Sequence, residues 1–220
     1  MPLLKLILIN YLGSCVIFNL NFLTLRNVPV VFKLTLLLIS LLVLQACATK
    51  PIVNQNINKV EQINQWQARG KLLVKNGKEK MSGYFFWQQY NSEEFKLVIT
   101  SFIGTNVLTL EHKLGNSQLQ IDGKTYNGSK PEHLIARLTG NYIPVTYLAN
   151  WMLAKSPPSA KTNYINDSLT RFEHLDKANA LWTVKYQNYQ AVGQVSLPQN
   201  MTVKGLNSSI KLSINNWDLF

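Results

Sequence analysis

From Leu72 onward the chain alternates apolar and polar residues in short runs, the two-residue period of strands with one buried face. The runs Leu72–Val74, Tyr84–Tyr90, Phe95–Thr100, Asn106–Glu111, Ser117–Ile121 and Lys124–Asn127 are separated by Gly, Asn and charged residues. That spacing predicts a meander of antiparallel hairpins. Tyr84-Phe85-Phe86-Trp87 is apolar at every position and predicts a strand covered on both faces. The period then lengthens. Ser129-Lys130-Pro131-Glu132 predicts an N-cap, a first-turn proline and a capping glutamate, followed by Leu134, Ile135 and Leu138 on one helical face, with Gly140 as the stop. After Pro144, the residues Val145, Leu148, Ala149, Met152 and Leu153 predict a second amphipathic helix that ends before Pro157-Pro158. Strands resume over Tyr164–Leu169, Arg171–Leu175, Leu181–Gln190, Val192–Leu197, Met201–Leu206 and Ser209–Ile214. A short helix is predicted over Val60–Gln67, with Val60, Ile63 and Trp66 at helical spacing. No internal repeat is visible. The fold class read from this pattern is α+β and mainly β, an incomplete antiparallel barrel whose two or three helices cover a cavity.

The N-terminal pattern is different. Apolar residues run from Leu34 to Leu44 behind the basic Arg26 and Lys33, and Leu44-Gln45-Ala46-Cys47 follows. A basic flank, a short apolar core and small residues before a cleavage point make a secretory signal. A cysteine directly after that point resembles the lipobox of bacterial lipoproteins, which predicts cleavage before a lipidated Cys47. The run is shorter than the ~20 residues of a spanning helix. A second apolar stretch, residues 6 to 25, contains the weaker imitation Leu12-Gly13-Ser14-Cys15. It reads either as a spanning helix or as the product of a start site placed too far upstream. The sequence thus divides into a signal region at 1–46, a lipidated N-terminus and Asn-rich tether at 47–60, and one domain at 61–220.

Charge narrows the partners. The signal region takes three of the 22 basic residues (Lys5, Arg26, Lys33) and none of the 11 acidic ones, so the net charge falls from +11 to +8. Dispersed positive charge suits anionic lipid or an acidic protein, and export makes nucleic acid the poorest candidate. No cysteine follows Cys47, so the domain has neither a disulfide nor a thiolate metal site.

Candidate chemistry is sparse. His112, His133 and His174 lie far apart, outside any metal-ligand spacing, and no nucleophile elbow, P-loop or dinucleotide fingerprint occurs. Glu93-Glu94 sits at a hairpin mouth, where a solvated turn is the simpler reading. The sequence reads as that of a binding protein without catalytic residues, metal or cofactor.

Several segments, in order along the chain, resemble one family, the outer-membrane lipoprotein receptor LolB. They are Gln67-Ala68-Arg69-Gly70, Phe85-Phe86-Trp87-Gln88-Gln89, Thr100-Ser101-Phe102-Ile103-Gly104-Thr105, Leu138-Thr139-Gly140 with Ile143-Pro144, Leu148-Ala149-Asn150-Trp151-Met152-Leu153, and Ile210-Lys211-Leu212 with Asn216-Trp217. The resemblance implies an eleven-stranded half-barrel whose helices close a hydrophobic cavity. It implies a receptor on the periplasmic face of the bacterial outer membrane. Such a receptor takes acylated lipoproteins from the periplasmic carrier LolA and inserts them into outer-membrane lipid, acting as a monomer with no nucleic-acid partner. Ala48 follows the lipidated cysteine, so the aspartate that retains lipoproteins in the inner membrane is absent.

Nine apolar residues are candidates for an acyl-chain lining: Phe85, Trp87, Leu97, Ile99, Leu108, Leu110, Leu148, Trp151 and Met152. Each could equally fill the core. Phe102-Ile103-Gly104 places two apolar side chains in a hairpin connection, where polar residues are usual. The family's matching loop protrudes with a leucine at its tip that is needed for delivery to the membrane. Ile103 takes that position, and Phe102 stands where the family often has proline. Arg69 matches the arginine before the family's first strand and reads either as a mouth-positioning group or as a surface ion pair. The competing functional reading is a lipoprotein scaffold of an outer-membrane assembly that binds no acyl chain.

Overall fold

The computed structural model describes residues 56–77, 79–140, 142–177 and 179–220. The predicted lipidation site Cys47 and most of the predicted tether lie outside the described residues.

Eleven strands form one antiparallel sheet in the order β6-β5-β4-β3-β2-β1-β11-β10-β9-β8-β7. In chain order they are β1 Trp66–Asn76, β2 Glu79–Gln89, β3 Phe95–Thr100, β4 Asn106–Lys113, β5 Asn116–Ile121, β6 Lys124–Gly128, β7 Lys161–Ile165, β8 Ser168–Leu175, β9 Leu181–Val192, β10 Val195–Lys204 and β11 Ser208–Leu219. Helices α1 (Pro131–Thr139) and α2 (Val145–Met152) fall between the two halves of the meander. Among the described residues, strands β6 and β7 have no partner on their outer edges, so the sheet is an open half-barrel. The one pairing between strands distant in sequence, again among the described residues, joins β1 to β11, from Trp66↔Leu219 to Asn76↔Ser208.

That junction depends on Gly70. A Cβ there would lie 2.0 Å from the Ser213 carbonyl oxygen, and the β1–β11 register shifts between Arg69 and Gly70. Glycine permits the close approach that the bulge requires. Farther along, β10 pairs with β9 from Val195 but with β11 only over Asn200–Lys204. Pro198 falls in the stretch with a neighbour on one side only, where a proline is tolerated. The Gln190 side chain donates to the Ile214 carbonyl at 3.0 Å across that gap. The two runs predicted at Val192–Leu197 and Met201–Leu206 are therefore mostly one strand through a proline.

Of residues 60–67, only Val60–Gln62 is helical, a 3-10 turn, and Trp66 opens β1 instead of closing a helix. The predicted strand Tyr164–Leu169 spans a hairpin turn, with Asn166 and Asp167 at φ of 47° and 59°. Strand β2 is buried on one face only. Phe85 and Trp87 point inward, while Tyr84 is exposed and Phe86 half-buried on the outer face. The α1 cap is Lys130 without a side-chain bond, one residue later than the predicted Ser129. Gly140 does end α1, at φ 69°.

The inner face of the sheet carries the core. Trp66 stacks on Trp87 at 6.0 Å, Trp87 on Phe95 at 5.0 Å, and Trp217 tilts against Trp66 at 5.3 Å. A second aromatic group joins α2 to β8 and β9 through Trp151, Phe172, His174, Trp182 and Tyr186. No helix among the described residues is long and apolar enough to cross a membrane.

Candidate functional site

From Trp87 of the first aromatic group toward the β1–β2 turn the inner face is not filled. A cavity of about 770 Å³ lies between the sheet and the helices, within the range of small-ligand sites. Leu72, Val74, Ile210 and Leu212 supply its floor from β1 and β11, and they are register partners, Leu72↔Leu212 and Val74↔Ile210. Phe85, Trp87, Leu97, Ile99 and Leu108 continue the wall through β2, β3 and β4. Ile135 and Leu138 of α1, Ile143, and Val145, Leu148 and Met152 of α2 cover it. Its polar lining residues are Asn76, Glu79 and Lys80, grouped at the β1–β2 turn. The interior thus offers dispersion contacts and little hydrogen bonding, with polarity confined to one end.

Seven of the nine candidate lining residues border this cavity: Phe85, Trp87, Leu97, Ile99, Leu108, Leu148 and Met152. Leu110 and Trp151 do not. Leu110 sits one inward position deeper on β4 than Leu108 and is fully buried. On α2, Val145, Leu148 and Met152 form one stripe at i, i+3 and i+7. Trp151 lies on the adjacent stripe with Tyr147, stacked on it at 5.7 Å, and packs against Phe172 and Trp182. Strict alternation from Leu72 would have found Val74. The β11 contributors required knowledge of a pairing between residues more than a hundred positions apart.

The lid over the cavity is held by Glu132. Its Oε1 accepts from the Thr146 backbone N–H at 3.0 Å and from the Thr146 hydroxyl at 2.6 Å. Pro144, the N-cap of α2, supplies no side-chain cap, so a carboxylate from α1 satisfies the start of α2 instead. The sequence pattern predicts Glu132 in the capping box of its own helix, whereas its partner is Thr146 of the neighbouring helix.

The β3–β4 connection is a tight turn. The Gly104 N–H donates to the Ser101 carbonyl at 3.0 Å, Ser101 N–H to the Thr105 carbonyl at 2.8 Å, and Thr105 N–H to Ser101 Oγ at 3.1 Å. Gly104, at φ 86°, takes the left-handed position. Phe102 leans edge-on against Tyr84 at 5.3 Å. Ile103 stands at the tip with 91% of its surface exposed.

Arg69 is on the outer face, away from the cavity. Its Nη1 pairs with Asp218 at 2.8 Å, its Nη2 donates to Gln67 Oε1 at 3.0 Å, and its guanidinium lies 4.9 Å from the Phe86 ring centroid. The surface ion pair, not a mouth position, is what the geometry gives. No group of three His, Cys, Asp or Glu residues among the described residues could hold a metal.

These observations meet what comparison with known proteins finds. A family model described as outer membrane lipoprotein LolB matches residues 64–217. Outer-membrane lipoprotein LolB of Tolumonas auensis is 34% identical over 193 residues, covering 83% of this chain and 95% of the relative. The Klebsiella pneumoniae protein of the same name is 33% identical over 171 residues, 76% of this chain and 83% of the relative. Among solved structures, a LolA superfamily protein from Nitrosomonas europaea is similar at a TM-score of 0.48 and 10% identity, over 77% of this chain and 94% of that one. By the family match and by these identities, the chain belongs to the outer-membrane lipoprotein LolB family.

Proposed function

We propose that this protein is a lipid-anchored receptor on the periplasmic face of the outer membrane. It accepts the acyl chains of lipoproteins from the carrier LolA and delivers them to the membrane. The observation that carries this reading is the apolar cavity with its polar residues at one end. Each methylene removed from water contributes about 0.8 kcal/mol. An acyl chain of about fifteen methylenes therefore costs ~12 kcal/mol to expose, and a shielded path from carrier to bilayer is required. Transfer needs no nucleotide hydrolysis if each acceptor in turn binds the chains more tightly than the donor. The net positive charge suits an acidic carrier surface by steering the encounter. Cys47 provides the anchor, and the exposed Ile103 enters the lipid to begin release.

The test is a two-stage transfer with purified LolA loaded with a radiolabelled, acylated lipoprotein. The expected result is that wild type and Ile103→Glu both take the lipoprotein from LolA, while release from the variant into liposomes falls at least ~10-fold. Such a loss corresponds to about 1.4 kcal/mol of lost membrane insertion. A folded wild-type protein that takes no acyl chain from LolA would instead support the scaffold reading.

A further inference from the structure

Strand directions fix which connections share an end of the sheet. Neighbouring strands are antiparallel throughout, so β1, β3, β5, β8 and β10 all run the same way. The β1–β2 turn, the β3–β4 turn with Ile103, and the β10–β11 turn therefore lie at one end, the end where the cavity is polar. The β10–β11 turn is Gly205-Leu206-Asn207-Ser208, closed by Gly205 N–H to the Ser208 carbonyl at 2.9 Å. It is tied to the β1–β2 turn by Gly77 N–H to the Asn207 carbonyl at 3.1 Å. Two-residue hairpin tips favour Asn, Asp and Gly. Here the first tip residue is Leu206, 97% exposed on a hydrogen-bonded support.

Between Ile103 and Leu206 the sheet presents Lys80 on β2 and Lys75 on β1, with Lys204 on β10 just past Leu206 and Glu79 beside Lys80. Lys75 and Lys80 are direct register partners, and Ser209 places Lys204 two strands from Lys75. None of the three forms an ion pair among the described residues. Like charges placed directly opposite cost stability. An anionic surface laid across them removes that cost. The acids of the cavity end are Glu79, the exposed Asp122 and the buried Asp176, whereas the connections of the other end carry Glu93, Glu94 and Asp167. Exposed Leu114 is there too, with its N–H bonded to Glu94 Oε1 at 3.0 Å.

We propose that Leu206 is a second membrane anchor and that Lys75 and Lys80, between it and Ile103, together with Lys204 beside it, hold anionic phospholipid headgroups, setting the cavity end of the half-barrel against the bilayer. Four strand spacings of about 4.8 Å put the two tips ~19 Å apart along the sheet. Two separated anchors fix an orientation, whereas one leaves the protein free to pivot. The inference rests on the membrane-delivery reading of Ile103, and its test separates the two.

Full-length protein carrying Ile103→Cys, Leu206→Cys or Leu114→Cys is labelled with an environment-sensitive fluorophore. Each variant is reconstituted into phosphatidylethanolamine–phosphatidylglycerol vesicles containing spin-labelled lipid quencher. The parent chain taken through the same labelling gives the blank for Cys15 and Cys47. The expected result is loss of most emission at 103 and at 206, and none at 114. Quenching at 103 without quenching at 206 overturns the second anchor and leaves the delivery reading intact. Quenching at neither overturns both. Vesicles lacking phosphatidylglycerol should quench position 206 less, and equal quenching there overturns the headgroup role of the lysines.

Discussion

Tyr186 and Tyr189 on β9 couple the core to pH. The Tyr186 hydroxyl donates to the Trp151 carbonyl at 2.7 Å and the Tyr189 hydroxyl to the Leu169 carbonyl at 2.6 Å. Burial pushes both phenols up, Tyr186 well above its ordinary value and Tyr189 to about 12. Between the unfolded value of 10.0 and about 12, folded Tyr189 keeps a proton that the unfolded chain has lost. Stability therefore falls as pH rises through that window. Tyr189→Phe should cost about 1 kcal/mol at neutral pH through the lost hydrogen bond. Its urea midpoint should then fall less steeply than that of wild type from pH 10 to 12. Equal slopes would mean that Tyr189 ionises freely in the folded chain. Lys155 works in the opposite sense: burial lowers its pKa while its Nζ donates to the Ile63 carbonyl at 3.1 Å. The cost of keeping it charged is relieved as pH rises toward 10.5.

Among the elements, the join between α1 and α2 depends on one carboxylate. Glu132→Ala leaves the Thr146 N–H and hydroxyl without their partner and should destabilise by about 1–3 kcal/mol. Hydrogen exchange should show the loss first at the start of α2, and Glu132→Gln should recover part of it. Uniform exchange with no change at Thr146 would place the stability of the lid elsewhere. Neither helix announces this bond. Pro131 and Gly140 marked the bounds of α1 because one fixes φ and the other tolerates the left-handed region. The destination of Glu132 is tertiary and has no local signature. The strands divide the same way. Phe95–Thr100 is legible to the residue because its alternation is clean and its flanks are polar. The β7–β8 hairpin is not legible because Tyr164, Ile165 and Leu169 make its turn look like the middle of a strand. Trp66 departs from its helical spacing because its packing against Trp217, from the far end of the chain, overrides that spacing.

For the molecule as a whole, the question is which apolar positions enclose space and which fill it. Inward alternation identified Phe85, Leu97, Ile99 and Leu108, but an inward side chain becomes wall or core according to what lies across from it. That depends on where the helices land and on the closure of β1 with β11, neither of which is local. Leu148 and Leu110 separate the two outcomes. Both are buried, yet Leu148 faces the cavity and Leu110 does not. Leu110→Ala removes side-chain volume from a packed site and should cost about 2–5 kcal/mol, with acyl-chain uptake retained in the fraction that stays folded. Leu148→Trp adds volume where space exists, so the urea midpoint should change little. Its uptake of lipoprotein from LolA should fall at least ~10-fold, because the bulk occupies the volume the chains would use. If Leu148→Trp unfolds the domain instead, the cavity is tighter at α2 than its lining indicates. If it stays folded and takes up lipoprotein as wild type does, the chains bind outside this cavity. A half-barrel that keeps its inner face partly empty gives up core contacts for a volume that only an apolar guest can fill, and these two substitutions measure the two sides of that exchange separately.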